Sequence, residues 1–409
     1  MGTPPRLARR EARRLRRRRA RRRATMALAV VAAAALLAGI AVAWASGGDG
    51  VDAGTGGARE AADGTLSVAT GAPGGTPAQP ASSDEQEPPP VRVISGGDVM
   101  PDRSVEQYAK ANGAEAVFEG IARVFEKGDA AWVNLEGVVS PLGTPKTEKT
   151  YTFQGPTSFA PALAGAGVDV VTMANNHSVD YGRAALRDSI ARLEKAGIQV
   201  VGAGRNLDDS HAPAAVTAAS GATIGFLAYN DVWWPGFEAT RSHAGVAQAF
   251  NDVGRMKRDI RELADEVDYV VVGFHWGYEY QHYPVSQQVG EAHAAIDAGA
   301  DLVIGHHPHV LQGFETYRRR LIAYSLGDLV FDHMAVETGQ TVLVDATLRP
   351  EGVTARLVPA YASSAGIPAL QRGEAGRTIL ALVKQYSAPL DTSISIDGDI
   401  GYVRAGRRR

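Results

Sequence analysis

From Val91 onward, short apolar runs alternate with stretches whose apolar positions recur every three or four residues. Val91–Ser95, Ala130–Glu136, Val168–Met173, Ile198–Val201, Ala214–Ala219, Thr223–Tyr229, Tyr269–Phe274 and Leu302–Ile304 read as strands. Ser104–Lys127, Ser158–Ala166, Gly182–Lys195, Asn251–Val267 and Ser286–Ala298 read as the helices between them. Strand-helix alternation of this kind builds a largely parallel sheet with helices on its faces. Past residue 309 the pattern turns to hairpins, over Val310–Thr316, Arg320–Ser325, Gln340–Leu348 and Val353–Pro359. The expected fold is an α/β sandwich of two β-sheets flanked by helices, one domain over residues 91–385. A helix over Arg377–Tyr386 closes it, and residues 386–409 read as a polar tail ending in three arginines.

The first ninety residues follow other rules. Met26–Trp44 is an uninterrupted apolar run of 19 residues, nine of them alanine. At a helical rise it spans about 28 Å, close to the hydrocarbon core of a bilayer. Residues 26–45 are therefore expected to form one transmembrane anchor. Residues 46–90 are rich in Gly, Pro, Ala, Ser and Thr, and such a segment cannot bury enough apolar surface to order itself. It is expected to be a disordered linker, a flexible coil reaching roughly 35–40 Å.

Charge sharpens that picture. The net charge of −3 hides a basic segment: residues 1–25 hold 12 Arg and one Glu, or +11, which leaves −14 on the rest of the chain. Arginines directly before a span keep the N-terminus cytoplasmic and send the remainder across. The cytoplasmic membrane, with its anionic lipid, is thus the expected partner of this segment, in preference to nucleic acid. The expected location is a single-pass cell-membrane protein with its main domain extracytoplasmic. Ala43-Trp44-Ala45 fits a cleavage pattern and leaves secretion as the alternative. There is no cysteine, which excludes disulfides, thiolate ligands and Cys nucleophiles.

Ligands of open α/β sheets gather at the carboxyl ends of strands. Here those ends carry Asp98, then Asn134 and Glu136, then Asn175-Asn176-His177 with Asp180 behind, then His275 and Glu279, then His307 and His309. Pro308 lies between the last two and biases His307 toward extended backbone. A lone Asp or Asn at such a place is ordinarily a cap or turn residue. Five strands ending in carboxylate, amide or imidazole donors, without sulfur, suit borderline or hard divalent ions such as Mn, Zn or Fe. The aromatic loop Trp233-Trp234-Pro235-Gly236-Phe237 reads either as a wall of the crevice or as a hydrophobic anchor. Lys146, Lys149, Arg183 and Arg205 are cations available to an anionic polymer.

Taken in order, Gly97-Asp98-Val99-Met100, Asn134-Leu135-Glu136, Asn175-Asn176-His177-Ser178-Val179-Asp180-Tyr181-Gly182, His275-Trp276-Gly277-Tyr278-Glu279-Tyr280 and Gly305-His306-His307-Pro308-His309 resemble the poly-γ-glutamate capsule synthesis (CapA) family. That family is similar in fold to the calcineurin-like metallophosphoesterases. The resemblance implies two divalent ions. Asp98 and His309 would serve the first, Asn176, His275 and His307 the second, and Glu136 would stand where phosphoesterases place a bridging Asp. His177 would be the general acid, oriented by Asp180. Asn134 and Glu279 are expected to face substrate; Glu279 also reads as a support for the ligands or as a solvated residue. Two positions depart from the phosphoesterase pattern: Met100 replaces an imidazole, and Asn134-Leu135-Glu136-Gly137 replaces G-D-x-x-D. Asp328 stands where the family commonly has Asn.

Two functions follow as expectations. One is a metal-dependent hydrolase or transferase outside the cell, acting on phosphoester or γ-glutamyl groups. The other is a non-catalytic subunit that binds the anionic polymer beside the subunits of a poly-γ-glutamate synthase.

Overall fold

Alternate residues of a strand face opposite ways, and this alternation divides the apolar side chains between an inner core and two outer ones. The protein is seen in a computed structural model that describes residues 87–405, Met334 excepted. The expected arginine segment, the membrane anchor and the linker up to residue 86 lie outside the described residues. Among the described residues no helix is long and apolar enough to cross a membrane.

The first sheet has ten strands. Its main path runs Ser395–Asp397, Ile400–Ala405, Gly352–Ala362, Gln340–Arg349, Val91–Val99, Ala130–Leu135, Val170–Thr172 and Gln199–Val201. Asp328–Val330 pairs beside Val91–Val99, and Pro368–Leu370 beside Gly352–Ala362. The second sheet has six strands, in the order Phe314–Tyr317, Arg320–Ala323, Leu302–His306, Tyr269–His275, Thr223–Asn230 and Ala214–Thr217. The central strands of both sheets are parallel, and the hairpins sit toward the edges.

Between the sheets, Val93, Trp132 and Val170 of the first meet Phe226, Val271, Leu302 and Ile304 of the second. Their neighbours Ile94, Val133 and Val171 face outward instead and pack under the helices Arg103–Asn112, Phe159–Gly165 and Gly182–Lys195. Val270, Val272 and Val303 do the same for the helices Val253–Glu266 and Ser286–Ala298 on the far side. The result is helix, sheet, sheet, helix: the two-sheet α/β sandwich expected from the sequence. Trp132 is wholly buried, and its indole N–H donates to Ser95 Oγ at 2.6 Å, so the largest side chain of the inner core is also polar-satisfied.

Two expectations are corrected. The helix expected over Ser104–Lys127 stops at Asn112, because Gly113 takes a φ of 93° and turns the chain; a 3-10 turn and a short helix, Ala122–Phe125, replace its second half. Residues 386–409, expected as a polar tail, instead supply the hairpin Ser395–Asp397 and Ile400–Ala405, which extends the first sheet along Gly352–Ala362. Val403 and Ala405 alternate with exposed Tyr402 and Arg404 and bury into the inner core. Every second residue of such an antiparallel strand faces solvent, so the segment is polar in composition and still part of the fold.

Candidate metal centre

The parallel strands of both sheets bring their carboxyl ends to one crevice. Within the first sheet, Gly97 allows a close approach of two backbones. Asp98 N–H donates to Gly327 O at 3.1 Å, and a Cβ on Gly97 would occupy the space of that oxygen. This contact sets Asp98 in register beside Asp328.

Asp98 is wholly buried. Its Oδ1 accepts from Asn134 Nδ2 at 2.8 Å, and its Oδ2 accepts from the His307 backbone N–H at 3.1 Å. His306 Nδ1 stands 3.2 Å from Oδ1, without the alignment of a hydrogen bond. Burial alone would raise the Asp98 pKa; the nearby His306 and His309 imidazoles and the Asn134 amide outweigh it and hold the carboxyl below its ordinary range. Asn134, expected to face substrate, has no exposed surface, and its amide bridges Asp98 and Asn175, whose Nδ2 donates to Asn134 Oδ1 at 2.9 Å. It orients Asp98 instead.

Glu136 is the centre of the crevice. It is wholly buried, and neither carboxyl oxygen has a hydrogen-bond partner. Around Oε1 stand three imidazole nitrogens: His309 Nε2 at 3.7 Å, His177 Nε2 at 3.8 Å and His275 Nε2 at 3.9 Å. These spacings are too long for hydrogen bonds. They match pairs of ligands that each lie about 2.1 Å from a shared ion. A buried carboxylate that is left unpaired is costly, and here burial drives its pKa well up, with Asp98 and Asp328 adding to the rise against the pull of His309. The donor set fits a divalent cation.

Among the described residues, two buried trios each bring their ligand atoms within 4.8 Å of one another: Glu136 with His275 and His307, and Asp98 with His309 and Asp328. Exposed Glu279 forms a third trio with His307 and His309 at the rim. His307 and His309 have φ values of 95° and 58°, so the bias of Pro308 toward extended backbone at His307 is overridden. Their backbone is held from both sides, by Asp98 on the His307 N–H and by Tyr280, whose N–H donates to Pro308 O at 2.8 Å. Strain of this kind persists where the surroundings over-determine it.

The imidazoles are set apart electrostatically. Burial pushes His307 down to about 3, with the charge of His309 adding to it, and leaves its Nδ1 unpaired. Burial also takes His275 well below its ordinary value, and the neighbouring imidazoles add to that; its Nε2 lies 2.8 Å from Asn176 Oδ1. His309 goes the other way. Burial opposes its charge, but Asp328 and Glu136 prevail, and its Nδ1 meets Asp328 Oδ1 at 2.8 Å. Asp328 itself is pushed up to about 6 by burial, with His309 opposing.

On the other wall, His177 Nδ1 meets Asp180 Oδ2 at 2.6 Å, and its own backbone N–H donates to Asn175 Oδ1 at 3.0 Å. Burial outweighs the Asp180 contact and puts His177 at about 4, so it is neutral at pH 7. With its proton on Nδ1 toward Asp180, Nε2 presents a lone pair toward Glu136. Lys149 completes this wall: its Nζ donates to Asp180 Oδ1 at 2.6 Å and to Asn176 O at 2.5 Å, beneath Trp234. In the aromatic loop Phe237 is wholly buried and Arg183 ties the chain down through Gly236 O, which fits the anchor reading, while Trp233 is exposed.

The crevice therefore gathers Asp98, Glu136, Asn176, His177, Asp180, His275, His307 and His309. Sequence reasoning missed His306 and assigned no role in the site to Lys149 or Asp328. His306 aligns with His275 across adjacent strands and packs edge-on to Trp132 at 6.0 Å. Lys149 was legible only as a loose cation. Asp328 was visible as an added carboxylate, and the register with Asp98 makes it part of the site.

The family model described as "Bacterial capsule synthesis protein PGA_cap" matches residues 92–333, the span that holds every residue of the crevice. The chain is 34% identical over 257 residues to "PGA biosynthesis protein CapA" of Bacillus subtilis, covering 63% of this chain and 67% of that one. It is 30% identical over 290 residues to a "Probable polyglutamine synthesis accessory protein" of Mycobacterium tuberculosis, covering 61% of this chain and 76% of the relative. Among solved structures, a hypothetical protein from Thermus thermophilus resembles it with a TM-score of 0.39 and 18% identity, over 68% of this chain and 98% of that one. On the family match and these identities, the chain belongs to the PGA_cap family of bacterial capsule synthesis proteins.

Proposed function

We propose that this protein is a membrane-anchored, extracytoplasmic enzyme of poly-γ-glutamate capsule formation, with a divalent-metal centre that acts on a γ-glutamyl or phosphoester group. The observation that carries the proposal is Glu136, a wholly buried carboxylate without a hydrogen-bond partner and with three imidazole nitrogens 3.7–3.9 Å away. Glu136, Asn176, His275 and His307 would hold one ion, and Asp98, His309 and Asp328 a second. When bound, such ions supply Lewis acidity and lower the pKa of water.

The residues of the chain do the rest. Asp180 and Lys149 fix the His177 ring, and His177 Nε2 takes up a proton from the reacting group and returns it to the leaving group. Asn134 and Asn175 fix Asp98. Anchoring rests on the apolar run of residues 26–45 behind its arginine block. The relatives named for PGA biosynthesis and polyglutamine synthesis support synthase subunits as partners and the anionic polymer as ligand.

A second reading is favoured by Met100. The structure buries it wholly, and its sulfur accepts from the Asp102 N–H at 3.0 Å, so it offers no ligand where the phosphoesterases have an imidazole. In that reading the same crevice binds polymer or metal without turnover, as part of a synthase or export complex. Manganese-loaded full chain, incubated with p-nitrophenyl phosphate and with γ-linked glutamate oligomers, separates the two. Cleavage of either that disappears in His177→Ala supports the enzyme. Tight oligomer binding with no cleavage supports the binding subunit.

A further inference from the structure

Arg103 sits beside the crevice, one aromatic ring away from His177 and from His309. It opens the helix Arg103–Asn112, yet its φ is 53°, in the left-handed region that residues with a Cβ avoid. Asp102 fixes this turn in place: Oδ1 accepts from the Arg103 N–H at 2.6 Å, and Oδ2 from the Gln154 N–H at 2.8 Å. The guanidinium lies 5.0 Å from the centre of the Phe153 ring and 5.3 Å from that of Phe331, and its Nη2 meets Asp332 Oδ1 at 2.5 Å.

Those rings are also the ones that touch the chemistry. Phe153 packs on His177 with centroids 4.2 Å apart, and Phe331 meets His309 edge-on at 4.9 Å. One ring therefore separates Arg103 from each of these two imidazoles. A guanidinium carries five donors in one plane. Asp332 engages one nitrogen, the phenylalanines take up the faces, and the Nε–H is buried with no acceptor. An unpaired buried donor on a strained residue beside a reacting centre is what a ligand contact looks like before the ligand arrives. Tyr280 also has a positive φ, of 63°, and holds an exposed phenol 6.3 Å from the His309 ring.

We propose that Arg103 anchors a carboxylate of the substrate other than the group that reacts at the metal, so that the centre selects a chain carrying repeated carboxylates. This rests on the functional reading above and adds the residue that sets its specificity. Arginine suits the task because its guanidinium stays charged and, beyond the nitrogen on Asp332, keeps further donors for a carboxylate.

The test is calorimetric titration of manganese-loaded full chain with three probes: a tetramer of γ-linked glutamate, the same tetramer with its side carboxylates converted to carboxamides, and inorganic phosphate. Wild type should bind the carboxylate tetramer about ten-fold or more tightly than the carboxamide. Arg103→Gln should lose that preference and weaken tetramer binding about ten-fold or more, with phosphate binding unchanged. Arg103→Gly, which accepts the positive φ at no steric cost, should do the same while a melting curve reports an intact fold. A folded variant that binds the tetramer as wild type does would overturn the proposal. So would an equal loss for phosphate, because Arg103 would then serve the reacting group itself. If wild type binds neither tetramer nor phosphate, the functional reading fails and this proposal fails with it.

Discussion

Asp98 and Asp328 stand in register on adjacent parallel strands, two buried carboxylates beside one imidazole, that of His309. Such a pair is tolerated only with protons or a cation to balance it. Asp328 is pushed up to about 6, and Glu136 and His309 are both raised above their ordinary values, so as pH falls through about 6 the metal-free crevice takes up protons that an ion must displace. Metal affinity should therefore rise with pH through the range around 6. The sign follows from the raised values, since acid refills these groups and competes with the ion. In Asp328→Asn the dependence should flatten between about pH 5 and 7. Manganese titrations across that range check both; an affinity independent of pH in wild type would contradict the balance described.

Asp180 and Lys149 form a buried ion pair, with side chains 0% and 5% exposed. Removing one partner of such a pair strands the other charge. Asp180→Ala should cost about 3–5 kcal/mol in urea unfolding. Asp180→Asn keeps the shape but turns one of the two oxygens facing Lys149 and His177 into an NH2 donor, which loosens the hold on the His177 tautomer, so it should retain metal and lose about 10²–10⁴ in turnover. A variant that keeps turnover would remove His177 from the proposed chemistry.

The C-terminal hairpin is an expected determinant of stability. Val403, Ala405 and the partly buried Ile396 cover the inner core beside Leu357 and Leu380. A chain ended at residue 390 exposes that face, at roughly 1.5–3 kcal/mol for each large apolar side chain uncovered. Such a truncation should melt well below the full chain; equal melting temperatures would return the segment to the status of a tail.

Much of the site was legible because its signals are local. Asp98, Glu136, His275 and His307 each follow an apolar strand, and strand ends converge in this class of fold. The residues that sequence reading missed depend on register and packing. His306 faces Trp132 because period-two alternation turns it away from its neighbours, while Lys149 reaches Asp180 across 31 residues of chain. Asn134 looked like a substrate contact because an amide at a strand end is ambiguous until its partners, Asp98 and Asn175, are known. The C-terminal strands were hidden by composition: Tyr402 and Arg404 face solvent, and only the pairing with Gly352–Ala362 shows what Val403 and Ala405 do.

The most direct test of the account is the metal content of full chain by elemental analysis, paired with its melting temperature, for wild type beside Glu136→Gln and His307→Ala. Wild type should carry divalent metal and melt higher with manganese than after chelation. Both variants should lose metal, and Glu136→Gln after chelation should melt no lower than chelated wild type, because it replaces an unpaired buried carboxyl with a neutral amide. Wild type that holds no divalent metal after loading, and gains no thermal stability from it, would contradict the metal centre on which the proposed function stands.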